Sequence, residues 1–426
     1  MENRVVVTGL GVCAPNGIGL SKFQKALEIG ISGIAHIELL EKLNFSCQVA
    51  GKPNLENIDL NKYFNKIELK NLEASGLVYG LISGMDAWQD AGFSFESNTE
   101  PDWETGIIFG TGISGVERFR NAIYDVDEGR VRRLGSGTVM QTMASSISAF
   151  LGGKLGAGNQ VTTNSSACTT GAEAILMGFD RIRSGKAKRM LVGSCSDSGP
   201  YVWGGFDAMR ILPRKFNDNP TMASRPMSAS AAGFVPGSGS GALVLESLES
   251  ALERDATIYA EIKGGHVNSG GQRNGGSMTA PNSDAVQRCI RQACFDSGIH
   301  PSDIDAINGH LTATSKDPIE IQNWSEALGR SGEDFQYINS FKGTVGHCLA
   351  ASGSIEAVGT VLQLVHKKIY PNVNCEDLHP EIEAIVDKFK IPQKAMPFSG
   401  KIIAKASFGF GDVNACIIFK TFSERN

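Results

Sequence analysis

Short runs of continuous apolar residues alternate along this chain with longer segments in which apolar positions recur every three to four residues. Residues 4–11 are apolar on both faces and predict a buried strand ending at a glycine turn, followed by an amphipathic helix over 20–29. Residues 69–90 predict a long helix with Leu72, Leu77, Leu81, Met85 and Trp88 along one face. A strand is expected at 106–109, a loop-helix excursion at 118–133, a small-residue buried helix at 141–150 and a strand at 190–193. A short helix at 203–210, a polar loop at 214–225 and a strand at 241–246 close the first half. The second half repeats the alternation. Strands at 259–264, 304–308 and 336–340 are interleaved with helices at 283–297, 318–329 and 353–366, and a strand pair at 401–407 and 414–419 flanks the turn Phe408-Gly409-Phe410-Gly411. Such alternation predicts an α/β protein.

The halves echo each other. Each carries a strand, a small-residue turn and a helix containing Glu-Ala-aliphatic, Glu173-Ala174-Ile175 in one and Glu356-Ala357-Val358 in the other. Cys168 stands in the first turn and His347 in a similar place in the second, so an internal duplication with a site between halves is expected.

With 426 residues, 41% hydrophobic and 20% charged, the chain is globular and long enough for two domains or halves. A net charge of −5 supplies no basic field for nucleic acid. The nine cysteines are scattered without a CxxC pair, so neither zinc nor a disulfide framework is expected, and a reducing compartment is. The apolar run at 5–14 is broken by Thr8, Gly9 and Gly11, which favours the first strand of a cytoplasmic protein over a signal peptide; no run is long enough to span a membrane. Two matches to GxGxx(G/A), Gly9–Ala14 and Gly110–Gly115, raise a nucleotide-binding oxidoreductase as an alternative. Both read as decoys. Pro15, Asn16 and Gly17 separate the first from its helix, and residues 129–133 after the second offer no acid for a ribose.

Three turns carry the candidate chemistry. Cys168 lies where an extended segment (161–163) enters a helix ending near Ser184. Unpaired N–H groups in a first helical turn favour a thiolate and can hold an oxyanion beside it. His310 follows the strand at 304–308, within Asn308-Gly309-His310-Leu311-Thr312-Ala313-Thr314. Lys342 and His347 follow the strand at 336–340, within a stretch of small residues that leaves both side chains open to close approach. Neither histidine has the HExxH spacing of a helix-borne zinc pair.

With these turns, the chain resembles the beta-ketoacyl-acyl-carrier-protein synthases of the elongating, Cys-His-His type, which share the thiolase-like fold. The resemblance runs nearly end to end, through Phe109-Gly110-Thr111-Gly112, Ala223-Ser224-Arg225-Pro226, Gly233-Phe234-Val235 and Ser407-Phe408-Gly409-Phe410-Gly411. A thiolase would have a second reactive cysteine near the C-terminal turn, where Cys416 is poorly placed, and a starter-condensing enzyme would have asparagine at His347.

The resemblance implies duplicated α/β halves in an α-β-α-β-α layering, with residues 1–255 carrying the cysteine and 256–426 the histidines and lysine. It implies Cys168 as acyl acceptor, His310 and His347 as stabilisers of a malonyl-derived enolate, and Lys342 as an ordering lysine with Glu320 as its ionic partner. The backbone N–H groups of Cys168 and Phe408 would form the oxyanion hole, and Phe408 would act as a gate. An acidic acyl carrier protein, loaded with acyl or malonyl groups, would dock at Arg210, with Lys66, Lys70, Arg130, Arg132 and Arg133 as further contacts. The enzyme would need no cofactor and no metal, and would form a homodimer or pair with a related ketosynthase-like subunit. Leu311, Ser315, residues 228–232 and the glycine-rich loop 268–277 depart from the family pattern. These departures raise a specialised polyketide or aryl-polyene-type pathway beside ordinary fatty-acid synthesis, and a non-catalytic chain-length partner as a further alternative.

Overall fold

The computed structural model describes residues 2–70, 72–95 and 100–423. Its main sheet has eleven strands. From one edge the order is Tyr337–Asn339, Ala306–Asn308, Ile402–Gly409, Val413–Lys420, Ala260–Ser269, Val5–Ala14, Gly239–Ser247, Arg189–Ser196, Thr105–Thr111 and Val161–Thr162, with Gly17–Ile18 paired to the side of Val5–Ala14. Taken in chain order, each half contributes five strands arranged 3-2-4-5-1. In each set the first two pairings from the outer edge are parallel and the next two antiparallel. The sets join where Val5–Val7 pairs antiparallel with Ala260–Ile262. This is the expected duplication, built as one continuous sheet.

The helices Thr170–Arg183 and Ser352–His366 pack on each other and on strands of both sets, forming the middle layer. Their buried faces, Ala172, Ile175 and Phe179 with Ile355, Val358 and Val361, meet in the largest core cluster. Ser75–Asp90 covers one set from outside, and Ser283–Asp296 with Asp317–Leu328 covers the other, which completes the α-β-α-β-α layering. The two central helices cross at glycines near their N-termini. A Cβ on Gly171 would lie 2.4 Å from the Ser354 nitrogen, and one on Gly353 would lie 2.6 Å from the Ala172 nitrogen. Only hydrogen fits there, so both helix starts come to the same place.

The repeat also corrects the register of the echo. The 3-10 turns Ala167–Thr169 and Leu349–Ala351 lead into the two central helices at an offset of 182 residues, each opening on a residue with positive φ (49° at Ala167, 52° at Leu349). Cys168 therefore corresponds to Ala350 and not to His347, and the two Glu-Ala motifs are one residue out of step.

Other differences are local. The long helix begins at Ser75, not at 69, because the Gln141 side-chain oxygen takes the Glu73 and Ala74 N–H groups (2.8 and 3.2 Å) in a non-helical approach. The expected 141–150 helix is Gly137–Thr142 and Ser146–Leu155, divided where Met143 turns extended. The helix expected at 203–210 spans Pro200–Ala208. Gly9 and Gly11 lie inside the first strand, where a Cβ would strike the Ala87 and Ser83 carbonyl oxygens at 2.3 and 1.9 Å. That glycine pair serves strand-on-helix packing, not a phosphate.

Candidate active site

Cys168 sits in the turn Ala167–Thr169, directly before the first central helix. The turn is held from within: the Ser166 N–H donates to Thr170 Oγ1 (2.8 Å), Thr170 Oγ1 donates to the Ala167 carbonyl (2.7 Å), and Ser166 Oγ donates to Glu173. The sulfur is thus fixed on an elbow that Ala167 enters at positive φ. Burial pushes the Cys168 thiol up to about 11, against the opposing pull of the Phe410 N–H and the Lys342 ammonium. This corrects the thiolate expected from the helix start, because removal from water outweighs the local donors. At neutral pH the Cys168 sulfur rests as a thiol.

His310 leaves the end of the strand Ala306–Asn308 in a turn gripped by two carboxylates. Glu320 accepts the N–H groups of His310 and Leu311, each at 2.7 Å, while Asp317 accepts those of Thr312 (2.9 Å) and Ala313 (3.1 Å). With Glu320 so engaged, the expected Lys342–Glu320 ion pair is not formed. Glu320 lies in the first turn of Asp317–Leu328 and faces the backbone of the histidine turn. Lys342 instead pairs with Glu356 of the second central helix, both side chains at most 2% exposed. The sequence held a signal for Glu356, an acid inside a small-residue helix, read only as part of the repeat.

His347 is anchored by its N–H to the Val235 carbonyl (2.7 Å). Its Nδ1 accepts the Leu349 N–H (3.1 Å) and lies 2.9 Å from Ser352 Oγ. A ring nitrogen that accepts leaves the proton on Nε2, so the network assigns His347 as an Nε2–H donor. The His310 and His347 rings stand 5.4 Å apart and nearly perpendicular (84°). Burial first, and then the Lys342 ammonium, holds both imidazoles well below the usual histidine range, so both are neutral. Cys168 Sγ and one nitrogen from each imidazole lie within 4.8 Å of one another.

These groups face a cavity of about 510 Å³ whose lining includes the apolar side chains of Ile113, Val202, Phe206 and Leu349. Phe408, near the end of the strand Ile402–Gly409, lies with its ring centroid 6.3 Å from that of His310, and it is the nearby Phe410 N–H that acts on the sulfur. None of the six basic residues expected at a carrier-protein contact lines the cavity; Lys316, which the sequence reading missed, does. Arg130 is engaged by Asp125 and Glu128 of its own segment, whereas Arg210, Lys66, Lys70, Arg132 and Arg133 are exposed.

Comparison with known proteins agrees with this architecture. Residues 2–251 match the model of the beta-ketoacyl synthase N-terminal domain, and residues 259–376 match that of its C-terminal domain. The chain is 34% identical to 3-oxoacyl-[acyl-carrier-protein] synthase 2 of Vibrio cholerae, over 98% of this chain and 99% of that protein. Among solved structures it resembles the ishigamide ketosynthase/chain length factor (TM-score 0.88, 25% identity, 99% of this chain and 100% of that one). It also resembles a type II polyketide ketosynthase bound to the hexaketide, in complex with its acyl-carrier protein (TM-score 0.87, 29% identity, 99% and 100% covered). From this match along both halves, the chain belongs to the beta-ketoacyl synthase family and is a thiolase-like acyltransferase of the 3-oxoacyl-[acyl-carrier-protein] synthase kind.

Proposed function

We propose that residues 1–255 supply the nucleophile and residues 256–426 the imidazoles and lysine of a two-stage condensation. The reading is carried by the meeting of a buried sulfur and two neutral imidazoles within 4.8 Å at the foot of a largely apolar cavity. In the first stage Cys168 attacks an acyl-carrier-protein thioester. His310, whose Nδ1 has no hydrogen-bond partner, takes the thiol proton and passes it to the departing carrier thiolate. In the second stage a malonyl thioester enters and loses CO2. The electron pair becomes an enolate whose oxygen is held by N–H donors of His310 and His347. The enolate carbon then attacks the Cys168 thioester. Backbone N–H groups of Cys168 and of the segment Phe408–Phe410, whose Phe410 N–H already reaches the sulfur, hold the oxyanion until the sulfur leaves and regains a proton from solvent. Phe408, beside His310 and preceding Gly409, gates entry of the malonyl group.

The substrates are carrier-bound. Arg210, Lys66, Lys70, Arg132 and Arg133, with Lys316 at the cavity, are the basic groups offered to an acidic carrier protein, and Arg130 contributes least because its charge is already matched. Both fatty-acid and polyketide enzymes stand among the similar proteins, so the pathway is assigned by product: incubation with acyl- and malonyl-loaded carrier protein is expected to give one CO2 and a 3-oxoacyl chain two carbons longer. Absence of product with carriers from both pathway types would contradict the assignment and favour the chain-length-partner reading.

A subunit interface is proposed at the exposed apolar side chains of Phe119, Ile123 and Val126 on the helix Val116–Asp127 and of Val139, together with the sheet edge at Val161–Thr162. Sedimentation is expected to give twice the chain mass alone or with a related subunit; a monomer under both conditions would remove it. A reducing cytoplasm is consistent with nine cysteines all free, and among the described residues no helix is long and apolar enough to cross a membrane.

A further inference from the structure

Lys405 lies on the closing strand Ile402–Gly409, three residues before Phe408, and its side chain is fully buried. An ammonium is strongly hydrated, so burial requires that its donors find acceptors. Nζ donates to the Ala406 carbonyl and to Ser407 Oγ (2.9 Å), and lies 2.7 Å from Glu356 Oε2 in a contact that is ionic without being an aligned hydrogen bond. Glu356 binds Lys342 through its other oxygen. One carboxylate therefore faces two ammonium groups.

The neighbouring acids do not restore the balance. Glu320 is turned to the His310 and Leu311 N–H groups, and burial pushes its carboxyl up to about 7. Asp317 is taken by the Met227, Thr312 and Ala313 N–H groups, and burial pushes it up as well. Behind the two imidazoles two lysines thus share one contacting carboxylate, and burial holds Lys405 below the usual lysine range against the pull of Glu356.

We propose that Lys405 is a positioning residue for the condensation: by occupying one oxygen of Glu356 it leaves the Lys342 charge incompletely neutralised, so that both ammonium groups act on His310 and His347, and it ties the Glu356 carboxylate to the strand that carries Phe408. The inference rests on the assignment of enolate stabilisation to the histidine pair. Its chemical logic is electrostatic. Negative charge developing on the enolate oxygen meets neutral imidazole donors backed by a preformed positive field. Both ammoniums oppose protonation of either ring, after burial itself. The remaining groups around the rings are Cys168 on its turn, Glu320 and Asp317 on Asp317–Leu328, and Glu356 on the second central helix, so Lys405 is the one cation contributed by the closing strand.

The test uses the full-length enzyme with acyl- and malonyl-loaded carrier protein. Lys405→Ala is expected to lower kcat about tenfold while KM for the malonyl carrier stays within about twofold. Without the ammonium, Glu356 neutralises Lys342 and the imidazoles become more basic. They then protonate at higher pH, so the acid limb of the kcat profile moves upward. Methylammonium, offered to the oxygen partners that Lys405 leaves, is expected to restore part of kcat. Lys405→Met fills the volume without charge and should show the same kcat loss and the same shift with no rescue. If wild-type enzyme makes product and either variant, once folded, retains both kcat and the acid limb, Lys405 is structural only and the proposal falls. If wild-type enzyme itself makes none, the underlying function is at fault.

Discussion

Replacing Cys168 with alanine is expected to lower condensation by a factor on the order of 10⁴ while leaving the fold in place. The substitution removes one sulfur from a turn held by Ser166, Thr170 and Glu173, none of whose hydrogen bonds uses the thiol. It removes the only group proposed to carry the acyl chain. The histidine half of the site remains, with His347 fixed by Leu349 and Ser352 and the His310 turn clamped by Glu320 and Asp317. Loss of CO2 from the malonyl carrier should therefore persist, uncoupled from product formation. Parallel assays of CO2 release and 3-oxoacyl product resolve the two stages. Product formation within about tenfold of wild type would place the nucleophile elsewhere.

The second large effect is on stability. Glu356→Ala is expected to cost on the order of 3–5 kcal/mol, the range found when one partner of a buried pair is removed. Here the loss strands two ammonium groups, Lys342 at 1% and Lys405 at 0% exposure, in a region where water does not reach them. Glu356→Gln keeps the shape and one acceptor, and should fall between alanine and wild type. Denaturant unfolding of the three proteins measures this. A loss below about 1 kcal/mol for the alanine variant would mean that the two lysines do not depend on this carboxylate, contrary to the account of the Glu356 contacts.

Much of the architecture was legible because period and punctuation coincide. The helix at Leu20–Ile29 and the strand ends that deliver His310 and Lys342 fall where apolar runs stop at glycine or asparagine, whereas the turn expected at Phe408–Gly411 begins only at Phe410, because Phe408 and Gly409 still pair within the strand. What was not legible depended on partners distant in sequence. The start of the helix at Ser75 is decided by Gln141, and the register of the repeat by glycine-to-backbone contact between Gly171 and Gly353. The Lys342 partner was misassigned for the same reason. Glu320 and Glu356 both lie within reach in sequence, and only the packing of the second central helix shows which carboxylate faces the ammonium. Lys405 left no trace, because a lone lysine in a strand reads as an edge or solvent-facing residue until the strand is seen to be central.

The proposed condensation passes through a single covalent intermediate. Intact-protein mass spectrometry after brief exposure to an acyl-loaded carrier protein, followed by peptide mapping, should find one acyl group on the peptide containing Cys168. Addition of the malonyl carrier should remove that group as 3-oxoacyl product within one turnover. An acyl group mapped to another side chain, or one that the malonyl carrier does not discharge, would contradict it.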